Sequence, residues 1–224
     1  MGISKNIFNS SIGRKLLMAL SGLGFIGFLL GHVSGNLLLF KGDNGKSFNE
    51  YAHFMKTTPV IWVTEVIIFT LIIVHIVDAI ILTVQNKKAR PQPYAGTKNT
   101  SKASFASRKA SALGIILLAF FILHMADFFI PAKLLGLTPK TPDGLDDLYA
   151  VVVAKFSNIV YVIIYVACMI PLFFHLSHGF QSAFQTMGWR HPKYTPMIKG
   201  FGYFLGVVIP GLFASMPLFI YLFK

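Results

Sequence analysis

Residues 58–86 read TPVIWVTEVIIFTLIIVHIVDAIILTVQN, a run broken only by Glu65, His75 and Asp78 among its titratable side chains. A helix crossing roughly 30 Å of hydrocarbon needs about 20 predominantly apolar residues, so this stretch is long enough to span a membrane. Four further apolar runs lie around it, at 13–40, 108–132, 156–187 and 197–223. Several exceed the minimum length, which implies tilt or projection beyond the bilayer. The expected fold class is all-α: one membrane domain over 1–224, a bundle of five transmembrane helices. Arg14 and Lys15 precede the first run as in a signal peptide. That run is too long for a signal core and no Ala-x-Ala site follows, so a retained helix is expected. Neither an internal repeat nor a low-complexity tract is visible.

The composition agrees. Of 224 residues, 54% are hydrophobic and 12% charged, against about a quarter charged in soluble domains. Too few charges remain to coat a water-facing surface, which excludes a soluble enzyme, a nucleic-acid binder and a secreted disulfide scaffold. The net charge of +12 sits in short connections, where it reports orientation. Lys5, Arg14 and Lys15, the connection with Lys87, Lys88, Arg90, Lys98, Lys102, Arg108 and Lys109, and the connection with Arg190, Lys193 and Lys199 contain no acid. The opposite side has Lys41, Lys46, Lys56, Lys133, Lys140, Lys155 and Lys224, mixed with Asp43, Glu50, Asp143, Asp146 and Asp147. Positive residues stay inside, so the N-terminus and the basic loop 87–107 are expected in the cytoplasm and the C-terminus outside. Cys168 is the only cysteine, which excludes an intrachain disulfide, a Cys-x-x-Cys-His haem attachment and a cysteine-ligated cluster.

Histidine inside a bilayer is costly and points to function by default. His32, His75 and His124 lie in the first three spans, and His175 and His178 share the fourth. His53 falls in the loop ahead of the second span and His191 in the fourth connection beside Pro192. Measured from the outer charges, His32 is 9 residues before Lys41 and His124 is 9 before Lys133. His75 is 19 after Lys56 and His175 is 20 after Lys155. At 1.5 Å per residue the two levels differ by roughly 15 Å. Paired imidazoles on facing helices suit a bis-histidine b-type haem, and two pairs at two depths suit two haems stacked across the membrane. A single buried histidine is as readily a hydrogen-bonding partner between helices; four, one per helix and matched in depth, are harder to explain that way. Zinc is a poorer choice because the four do not share a level. Gly27, Gly31 and Gly35 make a groove beside His32 that could admit a porphyrin face or simply another helix, and Gly179 has the same ambiguity. Arg14, Arg108, Lys109 and Arg190 are basic enough to meet propionates, though orientation already accounts for them.

With these residues in place, the chain resembles the five-helix, dihaem cytochrome b subunit of succinate dehydrogenases and fumarate reductases. The resemblance covers essentially the whole chain. It is strongest from Phe48-Asn49 through Ala52-His53-Phe54-Met55, Pro59 and Glu65 to His75, a segment similar to the branch that reduces menaquinone. Phe174-His175-Leu176-Ser177-His178-Gly179 resembles the family's element with a ligand four residues before glycine, which selects His175 over His178. The resemblance implies His75 and His175 as iron ligands on the cytoplasm-side haem b, and His32 and His124 on the outer one. His53 is not a ligand there. Phe173 stands where fumarate reductases of the family can carry a glutamate implicated in proton movement, which leans toward succinate oxidation.

The implied activity is electron transfer and quinone reduction, with succinate oxidised on a flavoprotein partner and an iron–sulfur subunit docked on the cytoplasmic face of a bacterial inner membrane. The basic loop is a plausible dock, although anionic lipid would explain it equally well. Quinone reduction needs a proton donor, and Glu50, His53 and Asp127 are the candidates near the outer pair; Glu65 and Asp78 are the other intramembrane acids. Three alternatives remain: a fumarate reductase subunit running in reverse, the quinone subunit of a formate dehydrogenase or hydrogenase, and a haem-free His/Asp proton-coupled transporter. Pro171, Pro210 and Pro217 are the only hints of the broken helices a transporter would favour.

Overall fold

The computed structural model describes residues 10–89 and 104–224; Lys5, Arg90, Lys98 and Lys102 lie outside them. In chain order the elements are α1 (Ser11–Asn36), a 3₁₀ turn (Leu37–Phe40), α2 (Lys46–Thr57), α3 (Pro59–Lys88), α4 (Phe105–His124) with a π-helical extension (Met125–Leu134), α5 (Leu148–Phe156), α6 (Ile159–Thr186) and α7 (Thr195–Phe223). Five helical stretches are long and apolar enough to cross a membrane: Ser11–Phe40, Pro59–Lys88, Phe105–Leu134, Ile159–Thr186 and Thr195–Phe223. The described residues contain no strand, only an isolated bridge between Lys140 and Asp146.

Local chemistry sets the starts. The Ser10, Ser104 and Asn158 side chains accept the free backbone N–H groups of Gly13, Ser107 and Val160, and Pro59 opens α3, where its missing N–H costs nothing. Pro171, Pro210 and Pro217 lie inside α6 and α7 without interrupting either helix. Pro131 lies in the π-helical extension of α4. Missing its N–H, it cannot complete an α-helical ladder, and the wider turn begins directly after His124.

α6 is the hub. It packs along α7 and against α1 and α4, and α3 rests on α1. α6 and α7 approach closely because Gly202 and Gly206 face Ser177 and Phe180; a Cβ on Gly206 would collide with the Ser177 hydroxyl. α3 and α4 meet through side chains: Thr83 with Ser111 at 3.0 Å, Phe69 with Phe129 at 5.4 Å between centroids, and Lys133 with Glu65 at 2.9 Å. This frame leaves the interior between α1, α3, α4 and α6, the four helices that carry the histidines.

The end of the bundle opposite the α1 N-terminus is capped by the 3₁₀ turn, α2 and α5. His53 is therefore helical, on the exposed side of α2, rather than in a loop. Asn49, almost fully buried, donates to Asp147 at 2.8 Å and accepts from the Tyr149 N–H at 2.9 Å. Asp147 in turn accepts from the Ala150 N–H and starts α5. Phe48 joins Val33, Leu39, Val152, Phe156, Val162, Met216 and Ile220 in one core cluster beneath this cap. Tyr51 lies so close to Gly35 that any Cβ there would overlap its ring. Replacing Gly35 by Ala should lower stability in detergent by about 1–3 kcal/mol, the usual cost of overpacking. Gly200→Ala on the exposed side of α7, with nothing within 4 Å of the added carbon, should melt about where wild type does, and circular dichroism melts would compare the two.

Candidate functional site

The bundle brings the histidines together in two pairs. His32 of α1 meets His124 at the end of α4 with ring centroids 5.8 Å apart, and His75 of α3 meets His175 of α6 at 6.1 Å. His178, one turn along α6, makes no such ring contact. An iron bonded at about 2.0–2.1 Å to one nitrogen of each ring, with each centroid roughly 1.2 Å behind its nitrogen, sets two centroids about 6.4–6.6 Å apart. Both pairs are close to that spacing. The residues present therefore fit a bis-histidine iron at each level.

Three helices serve as rulers for the separation of the levels. On α1, Ser21 touches His75, 11 residues before His32. On α4, a Cβ at Gly114 would lie 3.9 Å from His175, and His124 is 10 residues further on. On α6, Tyr165 packs on His124, 10 residues before His175. At 1.5 Å per residue these spacings place the pairs about 15 Å apart.

The environments of the two pairs differ. His32 and His124 sit in an aromatic cage: Phe28 and Phe213 against His32, and Phe120, Phe128 and Tyr165 against His124, with centroids 5.3–6.1 Å apart. The Nδ1 of His124 is buried without a hydrogen-bond partner. At the other level Phe25 lies 6.0 Å from His75, and Ser21 Oγ is 3.1 Å from His75 Nδ1. Gly27, Gly31 and Gly179 have open space where a side chain would be, room that a flat macrocycle beside these helices requires.

Each intramembrane acid has a cation. Arg14 Nη1 is 2.9 Å from Asp78, Lys133 is 2.9 Å from Glu65 and Lys155 is 2.9 Å from Asp127. Asp127 also accepts from the Tyr165 hydroxyl at 2.7 Å. Asp127 is thus bound into a Lys155–Asp127–Tyr165 chain beside the His32–His124 pair, and Arg14 is engaged by Asp78 rather than standing free for a propionate. Glu50 lies on the exposed side of α2, paired loosely with Lys46 at 3.9 Å. His191 and Arg190, with Phe184, Gly188, Trp189, Tyr194, Met197 and Ile198, line a separate cavity of about 550 Å³ at the α6–α7 connection. Sequence spacing gave no sign of Ser21 or Tyr165 and used Lys155 only as an outer boundary charge; all three enter the site because other helices carry them beside the histidines.

No match emerges when the chain is compared with protein-family models, curated proteins and solved structures. Its own geometry is what bears on function.

Burial works against the Lys155 charge, but the hydrogen bond and the charge of Asp127 outweigh it and hold the ammonium above its usual range. Lys155→Met would leave the Asp127 carboxylate, 7% exposed, without a counter-ion, and should cost about 3–5 kcal/mol. Adding Asp127→Asn should recover much of that loss in detergent melts. On the cap, hydrogen bonds from Lys140 and Lys56, both at 2.6 Å, hold the Asp146 carboxyl below its ordinary range. A carboxylate held low stabilises the fold above its unfolded value, about 3.9, and loses that contribution as pH falls through the depressed value. Asp146→Asn should therefore melt below wild type at pH 7, with the gap closing as pH falls below about 4.

Proposed function

We propose that this chain is the dihaem cytochrome b subunit of a succinate:quinone oxidoreductase, embedded with its N-terminus in the cytoplasm of a bacterial cell and passing electrons across the membrane to a quinone. The observation that carries the reading is the two histidine pairs, each spaced for an iron and set about 15 Å apart along the bundle. When bound, haem b supplies reversible one-electron iron chemistry at each pair.

The chain's residues divide the remaining work. His32 with His124, and His75 with His175, each offer a neutral imidazole nitrogen from facing helices. α6 holds both levels in register, since Tyr165 packs on His124 and His175 meets His75 ten residues later. Aromatic rings wall the His32–His124 pair, and Phe25 flanks His75 at the other level. At the outer end, the Lys155–Asp127–Tyr165 chain places titratable groups beside the His32–His124 pair, where quinone reduction would need protons. Glu50 and His53, on the exposed side of α2, are the weaker donors for that step.

Succinate would be oxidised on a flavoprotein subunit and relayed by an iron–sulfur subunit on the basic face, and the quinone is expected to be menaquinone. These assignments rest on the sequence resemblance. Phe173, whose carbonyl lies against the α6–α7 contact, offers no proton at the place where a reverse-running fumarate reductase can carry a glutamate. The continuous helices α6 and α7 favour an electron carrier over a haem-free transporter, whose sites are usually built from broken helices.

A dithionite-reduced minus oxidised spectrum of the purified chain should show a b-type α-band equal to two haems. His32→Ala or His124→Ala should each reduce it to about one, and His178→Ala should leave both. A spectrum with no α-band would sink the reading. Affinity purification from native membranes should bring down a flavoprotein and an iron–sulfur protein with succinate:quinone reductase activity.

A further inference from the structure

The two histidine pairs are not equivalent. Among the described residues, His75 is the one member of either pair whose ring nitrogen is hydrogen-bonded. Its partner, Ser21, is 1% exposed and sits where α1 crosses α3. The Ser21 hydroxyl is also 3.2 Å from the Met18 carbonyl, which lies within reach of the His75 ring as well. With Nε2 kept for iron in the dihaem reading, Nδ1 carries the ring proton and donates it toward Ser21 Oγ, 3.1 Å away, while the hydroxyl turns its own proton to Met18. A neutral imidazole has one N–H, so Nε2 keeps its lone pair. Gly22 completes the seat, because even a Cβ there would come within 3.4 Å of His75 Cε1. Nothing equivalent holds His124, whose Nδ1 is buried without a partner.

We propose that Ser21 is the positioning residue of the His75–His175 pair: it sets the His75 tautomer and, by sharing the Nδ1 proton, strengthens His75 as a ligand to ferric iron. The proposal rests on the dihaem reading above. A ligand that shares its outer proton with an oxygen acceptor is more basic, and a more basic ligand favours the oxidised metal. Ser21 thus lowers the reduction potential of the haem held at that level and leaves the His32–His124 level untouched.

The test is a redox titration of the purified complex, wild type against Ser21→Ala, following the two haems in the α-band. The haem at the inner level is identified as the one lost in His75→Ala. At a fixed ambient potential, Ser21→Ala should raise the ferrous-to-ferric ratio of that haem by about tenfold, the low end of outer-shell effects. For a one-electron couple that is an upward shift of about 59 mV. The other haem should not move, and Ser21→Thr, which keeps the oxygen, should titrate with wild type. An unchanged inner potential in Ser21→Ala, or equal shifts of both haems, would overturn the role of Ser21 while leaving the dihaem reading intact. A Ser21→Thr protein shifted as far as Ser21→Ala would overturn it too, since keeping the oxygen would then not keep the potential. A wild-type chain with no haem band would instead overturn the dihaem reading itself.

Discussion

Hydrocarbon offers no water to a charge or to a backbone amide, and that single absence organises this molecule. Every polar group at membrane depth must find its partner within the chain. The three acids of the spans all do: Asp78 on Arg14, Glu65 on Lys133, Asp127 on Lys155 and Tyr165. These pairs also tie helices together, α1 to α3, α4 to α3, and α4 to α5 and α6. Once they are closed, the histidines stand out as polar residues without an ionic partner, gathered two by two in the bundle interior. The spacing of the rings in each pair is the observation on which the proposed iron sites rest.

The frame around the pairs follows from small residues and from one proline. Gly202 and Gly206 let α7 close against α6, which makes α6 a fixed post between α1 and α4. Nothing comparable draws α3 onto α4; phenylalanine, threonine and an ion pair bridge them instead. Pro131 lies in the π-helical stretch that begins after His124, and such widened turns occur often at functional positions. The cap adds a second constraint, with Asn49 buried between α2 and α5 where each of its polar atoms is used.

Much of this was legible from sequence because hydrophobic length is a one-dimensional property. All five spans lie where the apolar runs place them, with ends displaced by a few residues. The depth count from Lys41, Lys56, Lys133 and Lys155 groups His32 with His124 and His75 with His175, and these are the rings in contact. The count survives the breaks it crosses, since Lys56 and Lys155 lie in α2 and α5 only three and four residues ahead of α3 and α6, and within each span residue number converts to depth. The misses have a common cause as well. α2 and α5 are short and lie outside the spans, stabilised by Asn49, Asp147 and Phe48 across about a hundred residues of chain, and local pattern carries no trace of such contacts. The segment from Phe48 to Met55, which stands out in the sequence, proves to hold structural residues of the cap, with His53 outward and Phe48 and Asn49 inward.

The sequence by itself determined the membrane class, the number and order of the spans, the distribution of basic residues and the depth of each histidine, because each depends only on a span and the few residues that flank it. Tertiary structure alone decided which cation answers each acid, and that Ser21 rather than some other polar group sits on the His75 ring. Those outcomes depend on the rotation of one helix about its axis relative to another. That rotation is set by side-chain packing between helices distant in the chain, such as Ser177 into the space left by Gly206.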